Sequence, residues 1–138
     1  MMTLGSCGLL SMMLVACGPE QSPHAAHDAA VGVERAPVVV TYYTDLGQLY
    51  MEYPMLVVGQ EARFLAHLTV LEDGAPVQSG KVRLEVGPTS APAQVFAVEE
   101  PVVDGIFVPV GSMQQAGAME ARLVVDSPQL QAVFPLPE

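Results

Sequence analysis

Lys81-Val82-Arg83-Leu84-Glu85-Val86 alternates charged and apolar residues over six consecutive positions. A period of two puts Val82, Leu84 and Val86 on one side of an extended chain and Lys81, Arg83 and Glu85 on the other, as in a strand with one buried and one wet face. The period recurs on both sides of this stretch. Upstream, Phe64, Ala66, Leu68 and Val70 alternate with Arg63, His67 and Thr69, although Leu65 breaks the polar side. Downstream, Met119, Ala121, Leu123 and Val125 alternate with Glu120, Arg122 and Asp126. Pro37 to Thr44 carries an unbroken β-branched and aromatic run, Val38 to Tyr43, which also reads as a strand. Asp73-Gly74, Ser79-Gly80, Gly87-Pro88, Asp104-Gly105 and Ser127-Pro128 separate these runs; such pairs supply positive or fixed φ and end strands. With no helical run of any length, the pattern predicts an all-β chain, an immunoglobulin-like antiparallel β-sandwich over residues 37–138. Phe64, Leu68, Val82, Leu84, Val86, Leu123 and Val125 are expected inside. The chain has no Trp and no cysteine after Cys17, so the Trp and disulfide of antibody domains are absent and the expectation concerns architecture.

Outward from the predicted domain, Gly18 to Ala36 is small and polar, with Pro19 and Pro23 and no apolar periodicity. That composition predicts a disordered tether over residues 17–36. Before it, an apolar stretch from Leu4 to Ala16 leads into Leu14-Val15-Ala16-Cys17. This is the pattern of a bacterial lipoprotein signal, residues 1–16, with cleavage before Cys17 and a diacylglycerol thioether on its sulfur. Ala16 is small enough for a peptidase cleft, and a thiol is the side chain suited to thioether formation. The stretch is shorter than the roughly 20 apolar residues of a spanning helix. No Lys or Arg precedes it, a departure from the positive n-region of signal peptides. Two acyl chains, at about 0.8 kcal/mol per buried CH₂, would hold the protein to the membrane. The expected location is therefore periplasm-facing and lipid-anchored to the bacterial cell envelope.

All charged residues follow Cys17, and the net charge is −10. An acidic chain repels phosphate backbones, so nucleic acid is not an expected partner. Cys7 leaves with the leader and Cys17 is consumed by lipid, so no disulfide is expected in the mature chain. No Gly-x-Ser-x-Gly elbow, phosphate-cradling loop or His-Glu-x-x-His occurs, and nothing in the sequence points to a nucleophile paired with a base. The chain is not expected to be an enzyme.

Two groups of residues have metal-ligand chemistry. His24-Ala25-Ala26-His27-Asp28 brings two imidazoles and a carboxylate close in sequence, a set for Zn²⁺ or Cu²⁺. On a tether the ordering cost is not prepaid, and incidental histidines in a linker are the alternative. Met51 and Met55, in Leu49-Tyr50-Met51-Glu52-Tyr53-Pro54-Met55, offer thioethers, which select Cu(I) or Ag(I). Four positions apart in a straight strand they would sit about 13 Å apart. Pro54 lacks an amide proton and ends a strand there, so a bend would be needed to join them. Met113 and Met119 add further sulfur, and the alternative for all four is gap-filling in a core. His67, on the polar side of its run, reads as solvated.

The segments Thr41-Tyr42-Tyr43-Thr44-Asp45, Leu49 to Pro54, Leu56-Val57-Val58-Gly59, Ala62-Arg63-Phe64, Ala66-His67-Leu68-Thr69, Pro76-Val77 and Gly80-Lys81-Val82 follow in order. Together they resemble the N-terminal domain of the periplasmic adaptor (membrane fusion) proteins of RND-type efflux pumps, the CusB-like heavy-metal branch. Gly105-Ile106-Phe107-Val108-Pro109 is similar to the closing half of that domain, and the resemblance covers roughly residues 37 to 135. It implies an accessory or adaptor-type domain in RND heavy-metal or cation efflux, with pump or adaptor components as partners and copper, silver or zinc as transported or bound ion. Full adaptors continue into a lipoyl-like domain, a helical hairpin and a β-barrel, and nothing up to Glu138 reads as such a hairpin. The expectation is an adaptor-type domain lacking those parts. A free-standing periplasmic metal-binding lipoprotein, or a ligand-free envelope interaction module, are the alternatives.

Overall fold

The computed structural model describes residues 35–136, and the described residues are all-β, with no helix among them. The ten strands are β1 Val38–Tyr43, β2 Gly47–Tyr53, β3 Glu61–Arg63, β4 Leu65–Val70, β5 Lys81–Gly87, β6 Gln94–Val98, β7 Ile106–Phe107, β8 Val110–Ser112, β9 Glu120–Asp126 and β10 Gln131–Leu136. They form two four-stranded antiparallel sheets, ordered β1-β2-β4-β7 and β10-β9-β5-β6, and a two-stranded ladder of β3 and β8. One cluster of buried side chains draws on both larger sheets, an arrangement consistent with a β-sandwich. The expected signal peptide (1–16), Cys17, His24, His27, Asp28 and all of the expected tether except Arg35 and Ala36 lie outside the described residues.

Lys81 to Val86 is the middle of the second sheet. Leu84 stands opposite Leu123 on one side and Phe96 on the other, and Val82 opposite Val125 and Val98. All seven residues expected inside are buried. The outer face of this sheet is charged: the Arg122 guanidinium donates to the Glu85 carboxylate at 2.7 Å, and Lys81 pairs with Glu99. The exposed Lys81–Glu99 pair contributes little to stability, about 0–1 kcal/mol. The effect of the two pairs is to make that face soluble.

The run from Arg63 to Val70, expected as one strand, is two. Arg63 ends β3, which pairs with β8, and Leu65 begins β4, which pairs with β2. Between them the Phe64 N–H donates to Pro109 O at 3.0 Å, so the backbone changes partner at that residue while its ring stays in the core. The alternation survives because Phe64, Ala66 and Leu68 all point inward on either side of the break. The edges are treated differently. β10 carries Pro135 in mid-strand, which an edge tolerates because no ladder donor is needed on its open side. β1 ends the first sheet and holds neither Pro nor charge.

Candidate functional site: a methionine-lined cavity

Along β2, Leu49 and Met51 are wholly buried while Gln48, Tyr50 and Glu52 face outward. Met51 therefore points between the sheets, with Val40 and Ala66 as its cross-strand neighbours. β2 ends at Tyr53, where Pro54 has no amide proton to continue the ladder. The chain then leaves the sheet as the loop 54–60, and Met55 is 52% exposed. Its sulfur accepts an N–H from the Arg35 guanidinium at 3.3 Å. The bend at Pro54 thus separates Met51 from Met55, one inside the core and one on a loop; the expected shared pair is not formed.

A different set of methionines shares one cavity. Met113, just after β8, is buried, and Met119, just before β9, is half-buried against the same core. Both line a cavity of about 310 Å³ whose wall also includes Met51. Leu84 and Val86 of β5 and Phe64 contribute to that wall, and the segment Gln115-Ala116-Gly117-Ala118 borders it. The Gly59 N–H donates to Met113 O at 2.9 Å, which ties the two bordering loops together. Phe64 packs on Tyr53 at 5.5 Å between ring centroids and stacks on Phe96 at 6.1 Å.

No charged side chain lines the cavity. Tyr53 is its one ionisable neighbour, and burial, followed by the nearby Tyr42, holds that phenol above its usual 10.0 and so neutral. Ions such as Mg²⁺ or Ca²⁺ find no carboxylate there. Three thioethers in an apolar wall suit a soft monovalent ion or an apolar molecule. Among the described residues no group of three or more His, Cys, Asp or Glu is placed to hold a metal.

His67 faces outward on β4 and meets Tyr50 edge-on, with ring centroids 5.4 Å apart. The Tyr50 hydroxyl donates to the Glu52 carboxylate. That hydrogen bond, then burial and the carboxylate's charge, raises the Tyr50 pKa. His67 is thus half-buried in an aromatic pair, where the sequence pointed to a solvated side chain. Met51 was legible as inward-facing from the period of Leu49 and Met51, but Met113 and Met119 flank a loop and reach Met51 only through tertiary packing. No protein-family model, no curated protein and no solved structure matches the chain.

Proposed function

We propose that this chain is a non-enzymatic, lipid-anchored adaptor-type domain of an RND heavy-metal or cation efflux system, facing the periplasm and folded as an immunoglobulin-like sandwich. The observation that carries this reading is spatial. The segments that resemble the adaptor domain contribute residues to β1, β2, β4 and β7, all four strands of one sheet, and to β3, the start of β5 and the loop that borders the cavity. Three glycines of those segments, Gly59, Gly80 and Gly105, stand at turns with φ of 77°, 104° and 82°. A string of short motifs that closes into one sheet with its turns is a structural unit. Affinity capture of the tagged protein from cross-linked envelopes of its own cells is expected to bring down an RND pump or adaptor subunit. Capture that yields the protein free of any such subunit, under conditions that preserve other pump complexes, overturns the reading.

That Met51, Met113 and Met119 line one cavity favours a second role within the same system, the holding of Cu(I) or Ag(I). Titration of the purified protein with Ag(I) is expected to show binding that falls at least about tenfold in a Met51→Leu, Met113→Leu double variant, which keeps bulk and removes sulfur. Met55→Leu should bind as the parent does. Equal binding by the parent and the double variant, or none by either, leaves these methionines as core filler.

A further inference from the structure

The connections between strands divide sharply by charge. At one end of the strands lie residues 54–60, 88–93 and 113–119, and none of the three stretches contains a charged residue, although the exposed Glu61 and Glu120 directly follow the first and the third. The cavity joins the first and third of these, and the Thr89 hydroxyl donates to Glu120, which brings the second beside the start of β9. At the other end lie residues 44–46, 71–80, 99–105 and 127–130. They hold Asp45, Glu72, Asp73, Glu99, Glu100 and Asp104 and no Lys or Arg. The Leu71 N–H to Leu46 O bond and the Gln78 amide to Asp104 bond hold that end together.

Both ends expose apolar side chains, but in different company. At the acidic end, Leu46, Leu71, Val102 and Val103 are each within two residues of a carboxylate. At the other, carboxylate-poor end, Met55, Leu56, Val57 and Val58 follow one another, 52%, 37%, 43% and 47% exposed. Four consecutive exposed apolar residues need an explanation. Arg35 supplies the direction. It stands just ahead of β1, and its guanidinium rests on the Met55 sulfur. The chain from Cys17 therefore enters the domain beside this apolar loop.

We propose that the carboxylate-poor end is a membrane-contact surface, with Met55, Leu56, Val57 and Val58 seated in the phospholipid of the bilayer that anchors the chain. Apolar loops gain by leaving water for the acyl boundary. Six carboxylates at the opposite end are kept away from a negatively charged leaflet, and Arg35, beside the loop, is placed to meet a lipid phosphate. The seat needs no rearrangement, because the loop is fixed by the Gly59 to Met113 and Gln60 to Val57 backbone bonds. This surface rests on the lipid-anchor reading only for the nearness of the membrane.

The chain lacks tryptophan, so a single introduced indole reports its own surroundings. Val57→Trp and Val103→Trp, both at exposed positions, are produced in the full-length chain and reconstituted in anionic phospholipid vesicles, with and without brominated acyl chains. The Val57→Trp emission is expected to shift to the blue and to be quenched by the brominated lipid, while the Val103→Trp emission stays aqueous and unquenched. A Val57→Trp signal that remains aqueous, or shifts without bromine quenching because the loop is covered by protein, overturns the proposal; so does equal quenching at both positions. The mass of the N-terminal peptide is read on the same samples. A lipidated Cys17 with an unquenched Val57→Trp signal retains the anchor and rejects the surface. An unlipidated chain with a quenched signal does the reverse.

Discussion

Leu84→Ala is expected to lower folding stability by on the order of 2–5 kcal/mol, read as a reduced denaturant midpoint with an unchanged slope. Leu84 is wholly buried at the centre of the second sheet, between Leu123 and Phe96, and lines the cavity. The truncation removes transfer energy and extends a void that the two sheets already hold open. Arg83→Ala, one residue away on the opposite face, is expected to cost about 0–1 kcal/mol. Its contact with Glu85 is 3.7 Å long, and Glu85 keeps Arg122 at 2.7 Å. If Arg83→Ala were the more damaging change, the two faces of β5 would have to be exchanged, and every inward assignment with them.

The second large effect is expected at Gly80. Its φ of 104° lies where a side chain is strained, at about 1–3 kcal/mol. A Cβ there would also stand 2.6 Å from Asp126 O and from the Ser127 Cα. Those are backbone atoms held in place, since Asp126 pairs with Lys81 in the ladder and the Ser127 N–H donates to Leu130 O at 3.1 Å. Overpacking of this kind adds about 1–3 kcal/mol. Gly59→Ala separates the two contributions. Its φ is 77° and nothing lies within 4 Å of the added carbon, so only the backbone strain of about 1–2 kcal/mol remains. Thermal unfolding of the two variants should place Gly80→Ala well below Gly59→Ala. Coincident midpoints would mean that the turn gives way freely.

The strands that the sequence disclosed are those with a wet face and a dry face. β5 alternates cleanly because Lys81, Arg83 and Glu85 mark its outer side, and β9 does so through Glu120, Arg122 and Asp126, with Val124 the one apolar residue among them. β6 hides its period. Val95, Phe96, Ala97 and Val98 are all apolar, yet only Phe96 is buried, so hydrophobicity carries no facing information there. β7 and β8 span two and three residues, too few for any period. β10 was obscured by Pro135, which argues against a strand until one knows that it lies on an edge. The cavity is a tertiary fact of the same kind. Met51 shows its direction locally, whereas Met113 and Met119 are brought to it by β8 and β9, whose pairing partners β3 and β5 lie far away in the chain.

The order β10-β9-β5-β6 also sets the sequence of assembly. β1, β2 and β4 find their neighbours within a short reach of chain, and β6 meets β5 across one turn. β9 must come back to β5 over the whole intervening segment, pairing Asp126 with Lys81, a non-local closure that folds slowly. While the chain emerges N-terminus first, β5 waits with one backbone edge open, a template for pairing with another molecule. Loss of the last two strands would therefore not trim the domain. It would strip half of the second sheet, with Leu123, Val125 and Phe134, from the core that those strands complete.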